Sequence, residues 1–402
     1  MTEFGDVNEG LAVKTLTEGS TDIVEDLLLR GYSLVDLSSH AGVDTSVLSV
    51  WEECFRKAFD LPEDTKRSAG VYRSDTSTKG LAVGYRRDDN REFFETRMVL
   101  VDRGTDAQTD DCAPVSSSSP FSSTYTSSCI PTLPVPAYEQ TVYKLCRVLS
   151  SVGEVLLSSI ARHALHVDGA CFIDLTDIPV FSVLPLASSS SSSSPTSSCI
   201  PLSSSVLRIC SYPCENHNSP TDPTDASIAF GSHTDTSFLT IAPCSSVPGI
   251  EIYDRLLNRW VSPEAISSPH PSSASLVVVF TGEMLEILTK RKFQAVVHRV
   301  RTPQPTRKHQ VEECASGDND TRSRVSAPFL IRGLYSSIFL DPSKNYDHEF
   351  EDAAKKNLAD LEGCTMKEVH KILDFKRMRC VKEHEGSDEG SWVLSSYGVT
   401  IT

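Results

Sequence analysis

The sequence predicts a mainly β core with flanking helices, an α+β chain. Three observations carry that expectation. First, from residue 206 on, short runs of strand formers recur between turns. They are Val206-Leu207-Arg208-Ile209-Cys210-Ser211-Tyr212, Ile250-Glu251-Ile252-Tyr253, Leu276-Val277-Val278-Val279-Phe280, Ala295-Val296-Val297 and Phe329-Leu330-Ile331. Second, Val142, Leu145, Leu149, Val152, Leu156 and Ile160 recur at a helical period, which predicts one long helix over 137–166. Third, residues 20–60 read as a short helix, a strand and another helix. The last of these carries Val47, Leu48, Trp51, Phe55 and Ala58 on one stripe and stops before Pro62.

Between these elements the composition changes abruptly. Residues 105–136 are rich in Ser, Thr and Pro, and seven serines run from Ser188 to Ser194 within a bland tract over 187–205. Such segments cannot bury enough apolar surface to offset the entropy of ordering, so both read as disordered insertions. Ser127-Ser128-Cys129-Ile130-Pro131 recurs as Ser197-Ser198-Cys199-Ile200-Pro201, too short and too few to be a repeat array. A third polar insertion spans 302–323. The expected organisation is an N-terminal region over 20–104, the insertion 105–136, a helix and first core strands over 137–186, the insertion 187–205, a core over 206–340 and a charged helical tail over 341–402. The last twenty residues read as loosely held.

At 402 residues and 39% hydrophobic content the chain can bury a sizeable core. The formal net charge of −16 weighs against binding nucleic acid or an anionic membrane through overall charge. No apolar run reaches the roughly 18 residues of a membrane span. Met1-Thr2-Glu3-Phe4-Gly5-Asp6 is acidic and without an apolar stretch, so it is not read as a secretory signal. The twelve cysteines include no C-x-x-C pair; Cys210 and Cys214 are a weak zinc candidate without a second pair. Free thiols and a cytoplasmic location are the expectation.

The chemistry is concentrated in two places. His233-Thr234-Asp235 is followed 65 residues later by His298, within Val296-Val297-His298-Arg299-Val300. On a strand, residues i and i+2 point to one face, so His233 and Asp235 can grip one ion while His298 comes from a neighbouring strand. Two imidazoles and a carboxylate suit Fe(II), Mn(II), Co(II) or Zn(II). Arg324-Val325-Ser326 lies 26 residues beyond His298. An arginine can bind a carboxylate through two parallel hydrogen bonds, and the serine two residues on faces the same side. A second frame starts at Arg322, but the apolar strand after Ser326 favours Arg324.

These motifs, in this order, resemble the 2-oxoglutarate- and Fe(II)-dependent dioxygenases, in the branch similar to isopenicillin N synthase. The likeness runs through His233 and Asp235, Gly249-Ile250-Glu251-Ile252, Trp260, Gly282-Glu283-Met284-Leu285-Glu286, His298-Arg299-Val300 and Arg324 with Ser326. It extends to Arg30-Gly31-Tyr32, Phe59-Asp60-Leu61-Pro62, Gly84-Tyr85 and Arg91-Glu92-Phe93-Phe94 in the amino-terminal half. The resemblance implies a double-stranded β-helix, or jelly-roll, core. It implies Fe(II) on His233, Asp235 and His298, and 2-oxoglutarate as co-substrate held by Arg324 and Ser326. Tyr212-Pro213 looks like the family's co-substrate tyrosine stretch, although Cys210 stands where the family has Asn. The implied reaction oxidises a small organic substrate with O2, by hydroxylation or desaturation, releasing succinate and CO2. Tyr85, Arg86, Arg87 and Phe93 would line the substrate pocket by family geometry. Two alternatives stay open: an iron oxidase of the same fold that does not use 2-oxoglutarate, and a non-catalytic binding or scaffold relative.

Overall fold

The structure is a computed structural model. It describes residues 12–17, 19–40, 44–69, 72–73, 82–88, 90–98, 130–178, 203–213, 228–267, 275–301, 323–343, 348–373, 392–394 and 399–401.

The strands, in chain order, are β1 (Val13–Thr15), β2 (Tyr32–Asp36), β3 (Tyr72–Arg73), β4 (Ala82–Arg87), β5 (Glu92–Thr96), β6 (Val206–Tyr212) and β7 (Ile228–His233). Then come β8 (Leu239–Pro243), β9 (Ile250–Asp254), β10 (Arg259–Val261), β11 (Leu276–Thr281), β12 (His298–Arg301), β13 (Arg324–Ser326) and β14 (Phe329–Ile331). A ten-stranded sheet runs β1-β2-β11-β8-β14-β6-β5-β4-β3, with β13 also paired to β6; a four-stranded sheet runs β10-β9-β12-β7. The two face each other as a jelly roll.

Alternation along the strands builds two cores at once. On β11, Val277 and Val279 join the large outer core, while Leu276, Val278 and Phe280 point inward to meet Ile250, Ile252 and Val261 of the small sheet. On β14, Phe329 and Ile331 face outward and Leu330 faces the interior cavity. Both faces of these strands are buried, so they read as continuous apolar runs.

Four helices carry most of the outer layer: α1 (Thr21–Leu29), α2 (Trp51–Phe59), α3 (Glu63–Ser68) and α4 (Tyr138–Ser159). The stripe Val142, Leu145, Leu149, Val152, Leu156 of α4 packs with Leu239, Ile241, Val279 and Phe329. Each such side chain contributes roughly 1.5–3 kcal/mol by leaving water. Gly153 allows the close approach, because a Cβ there would collide with Ile331. The helix ends are sharp. Ala137 (φ 60°) and His166 (φ 57°) are left-handed, and a π-helical turn, Ile160–Leu165, closes the C-terminal end. The expected stripe Val47, Leu48, Trp51, Phe55 and Ala58 is broken at Val50 into a 3-10 turn, Thr45–Ser49, and α2.

The insertions lie almost wholly outside the described residues, and their described ends belong to the fold. Ile130, Leu133 and Val135 are buried in the outer core. Ser203, Ser204 and Ser205 are buried too, because Asp177 accepts from the Ser203 and Ser205 hydroxyls and from the Ser204 amide at 2.9 Å. A serine tract reads as solvent-seeking only until a buried acid satisfies it. Of 302–323, Ser323 alone is described. Nor is 20–104 separate from the core: β2 pairs with β11, and β5 with β6. In the tail, His348–Asn357 and residues 366–373 are helical, and Trp392–Leu394 pairs with Val399–Ile401.

Candidate metal centre

The small sheet presents two imidazoles side by side. His298 on β12 pairs in register with His233 at the end of β7, and the ring centroids are 4.2 Å apart. Asp235 follows just beyond β7, its two carboxylate oxygens 3.9 Å from His233 Nε2 and 3.8 Å from His298 Nε2. One ligand atom from each residue falls within 4.8 Å of the others. The far ring nitrogens are engaged elsewhere. His233 Nδ1 lies 2.8 Å from the Gly231 carbonyl and His298 Nδ1 3.3 Å from that of Val296. Donation from Nδ1 leaves an Nε2 lone pair on each ring for a metal. The Thr240 hydroxyl donates to Asp235 Oδ2 at 2.7 Å. Burial raises the Asp235 pKa, but His298, His233 and the Thr240 bond outweigh it and hold the carboxyl below its ordinary value. Phe280 and Phe230 pack against the two rings at 4.6 Å and 4.4 Å.

The large sheet supplies the opposite wall. Arg324 on β13 pairs directly with Tyr212 on β6, and Ser326 with Cys210, so all four side chains share one face. All four line the cavity that contains His233, Asp235 and His298. Arg324 is 2% exposed, and its Nη2 meets Glu264 at 2.7 Å. Its Nε and Nη1 are occluded and have no hydrogen-bond partner among the described residues. Glu264 is itself fixed by the amides of Ser245, Gly249 and Ile250 at 2.8–3.1 Å. Burial would lower the Arg324 pKa, but the Glu264 carboxylate raises it above the ordinary value. A Cβ on Gly249 would collide with Cδ and Nε of Arg324, which is why a glycine stands there.

Three further charged residues of this cavity were given no site role by the sequence reading: Glu264, Arg91 and Arg208. The Arg91 guanidinium lies 3.7 Å from the Phe230 ring centre, and Arg208 is paired with Glu95 at 2.6 Å. The period-two spacing Arg208, Cys210, Tyr212 was a usable signal for Arg208. Glu264 had none, since the Pro263–Ser267 helix brings it to an arginine 60 residues further along the chain. The expected pocket lining is corrected in part. Phe93 packs against the inner cluster of Cys210 and Tyr212. Tyr85 faces the outer core, with its hydroxyl on Glu92 at 2.6 Å, while Arg86 and Arg87 are exposed. Tyr85 alternates away from the cavity along β4, as the period of a strand requires.

Residues 203–333 match the family model of the 2OG-Fe(II) oxygenase superfamily. That match covers 131 of the 402 residues, about a third of the chain, and over that stretch the chain is similar to the superfamily. Among its curated relatives is the 1-aminocyclopropane-1-carboxylate oxidase homolog 4 of Arabidopsis thaliana. It is 25% identical over 174 residues, which are 43% of this chain and 41% of the relative. Gibberellin 3-beta-dioxygenase 4 of the same plant is 28% identical over 127 residues, 32% of this chain and 29% of the relative. The chain thus matches well under half the length of these curated relatives. The oxygenase fold is shared with dioxygenase for auxin oxidation 1 of Arabidopsis thaliana, solved as its 2-oxoglutarate binary complex. That likeness has a TM-score of 0.52, 16% identity, and covers 85% of this chain and 99% of that one. It is shared too with a 2OG-Fe(II) oxygenase family protein of Caulobacter crescentus, with a TM-score of 0.55, 19% identity and coverage of 92% and 99%. Among the described residues, no helix is long and apolar enough to cross a membrane.

Proposed function

We propose that the chain is an Fe(II)- and 2-oxoglutarate-dependent dioxygenase that oxidises a small organic substrate. One observation carries this reading. Two metal-facing imidazoles and a carboxylate share a cavity with a buried arginine that has two unpartnered donors. A buried guanidinium with unmet donors is costly unless a ligand supplies the acceptors. The donor set, two nitrogens and an oxygen on one side, suits iron with open positions.

His233, Asp235 and His298 would hold the metal, with the Gly231 and Val296 carbonyls fixing the ring tautomers. Arg324 would receive the distal carboxylate of 2-oxoglutarate through Nε and Nη1 while Glu264 keeps the guanidinium plane fixed. Ser326 and Tyr212, on the same face, offer hydroxyls to that carboxylate. When bound, iron and 2-oxoglutarate supply the oxidation: O2 is consumed, the co-substrate leaves as succinate and CO2, and the substrate is oxidised. Phe280, Phe230 and Val300 exclude water from the metal side of the cavity. Succinate release with and without 2-oxoglutarate across a metabolite panel is the direct test; no succinate under any condition would overturn the proposal.

One feature favours a second reading, an iron oxidase that does not use 2-oxoglutarate. Glu264 already neutralises Arg324, and a carboxylate beside the clamp repels an incoming one. The two readings separate on 2-oxoglutarate binding to the metal-loaded protein, which the second forbids.

A further inference from the structure

The inner face of the large sheet continues past the metal centre. Leu330 lines the cavity, and Arg332 stands two residues beyond it, so the strand period turns both the same way. Across β5 and β6, Glu95 pairs in register with Arg208, and Arg97 follows two residues after Glu95. Three arginines therefore crowd one region, and they differ in what answers their charge.

Arg208 has Glu95. Arg97 donates from Nη1 to the carbonyls of Ser203, Ser204 and Ser205, at 2.6 Å for Ser204. The acid nearest those serines, Asp177, is taken up by their hydroxyls and amides. Arg332 has no ion pair among the described residues, and its Nε is occluded without a hydrogen-bond partner. Beside it, His370 Nε2 is likewise unpartnered, with its ring 5.1 Å from that of Tyr335. Burial, and then the charges of Arg332 and Arg97, hold His370 down to about 3. Burial and Arg332 hold Arg97 down to about 10. Arg332 is lowered by burial and by Arg208, while Asp235 is near enough to raise it. Arg332 thus follows Leu330 on the cavity-facing side of the strand with no ion pair among the described residues.

A half-buried guanidinium with an occluded, unpartnered Nε and no ion pair among the described residues has donors to offer, and an anion that binds there answers its charge. We propose that Arg332, backed by Arg97, anchors a carboxylate of the organic substrate, so that the enzyme acts on an organic acid. This rests on the dioxygenase reading and adds its substrate class. Arg324, facing Tyr212 and Ser326 elsewhere on the face, is left to the co-substrate.

The experiment titrates the full chain with hexanoate, decanoate and 3-phenylpropanoate, and with the neutral amide of each. Binding is measured with Mn(II) and saturating 2-oxoglutarate, and again with neither. At least one acid should bind on the order of tenfold or more tighter than its amide. Arg332→Gln should erase that preference and leave 2-oxoglutarate affinity unchanged. Its unliganded Tm should equal or exceed that of the wild type, because no ion pair is lost. Four results would overturn the proposal. They are amides binding as well as acids, no acid binding, an acid preference that survives Arg332→Gln, and a variant that unfolds or loses 2-oxoglutarate. Failure of the dioxygenase reading looks different: 2-oxoglutarate then binds neither protein, while the acid preference without co-substrate still reports on Arg332.

Discussion

The two faces of the large sheet are built from the same strands and do opposite work. The outer face is mainly apolar: Ile241 on β8, Val277 and Val279 on β11, and Phe329 and Ile331 on β14 pack under α4. The inner face alternates apolar patches with Arg208, Tyr212 and Arg324. Stability is therefore concentrated on one side and chemistry on the other, separated by the thickness of a strand. A substitution should act on stability or on binding according to the parity of its position.

The strongest way to break this comparison is at the metal. His298→Ala should abolish stoichiometric Fe(II) binding under anaerobic conditions, while thermal unfolding of the metal-free protein changes little. Retained stoichiometric iron with an unchanged spectrum would mean that the three residues are not the ligands. On the outer face, Phe329→Ala should cost about 3–5 kcal/mol of stability, as large-to-small changes in a packed core do. Binding of 2-oxoglutarate to the fraction that remains folded should be unaltered. A Phe329 variant with wild-type stability would show that the outer core does not bear the load assigned to it.

Arg324→Lys sharpens the inner-face side. It keeps the charge and loses the fork, so 2-oxoglutarate affinity should fall on the order of tenfold, with iron affinity unchanged. Calorimetry on the metal-loaded protein measures both. Loss of co-substrate binding in Arg322→Ala instead would move the clamp to the upstream arginine.

The remaining effect is a pH slope, gradual rather than all-or-none. His370 is held neutral, with its folded pKa near 3 against about 6.5 when unfolded. As pH falls below 6.5 the unfolded chain takes up the proton first, so stability declines from there down to about pH 3. The contribution is at most about 1.4 kcal/mol per pH unit. His370→Gln should flatten that part of the profile in chemical denaturation at stepped pH. An unchanged slope would mean that the imidazole is not shielded beside Arg97, Arg332 and Tyr335.

The sequence by itself determined the elements whose cause is local. The stripe from Val142 to Ile160 gives α4, because a helix is fixed by neighbours three and four residues apart. His233 and Asp235 are two residues apart, which fixes their common direction whatever the rest of the chain does. The family motifs carried His298 and Arg324, because each sits in a short distinctive context. Tertiary structure decided what depends on charges meeting across the chain. Glu264 becomes the partner of Arg324 only once the fold brings the Pro263–Ser267 helix, which packs against β9, within reach of that arginine. Ser203 to Ser205 leave the serine tract for the core only because Asp177 waits there. Arg332 stands out only when the fold has paired its neighbour Arg208 and left it without an ion pair among the described residues. Periodicity records which way a side chain points, and burial without a partner is known only when every neighbour is in place.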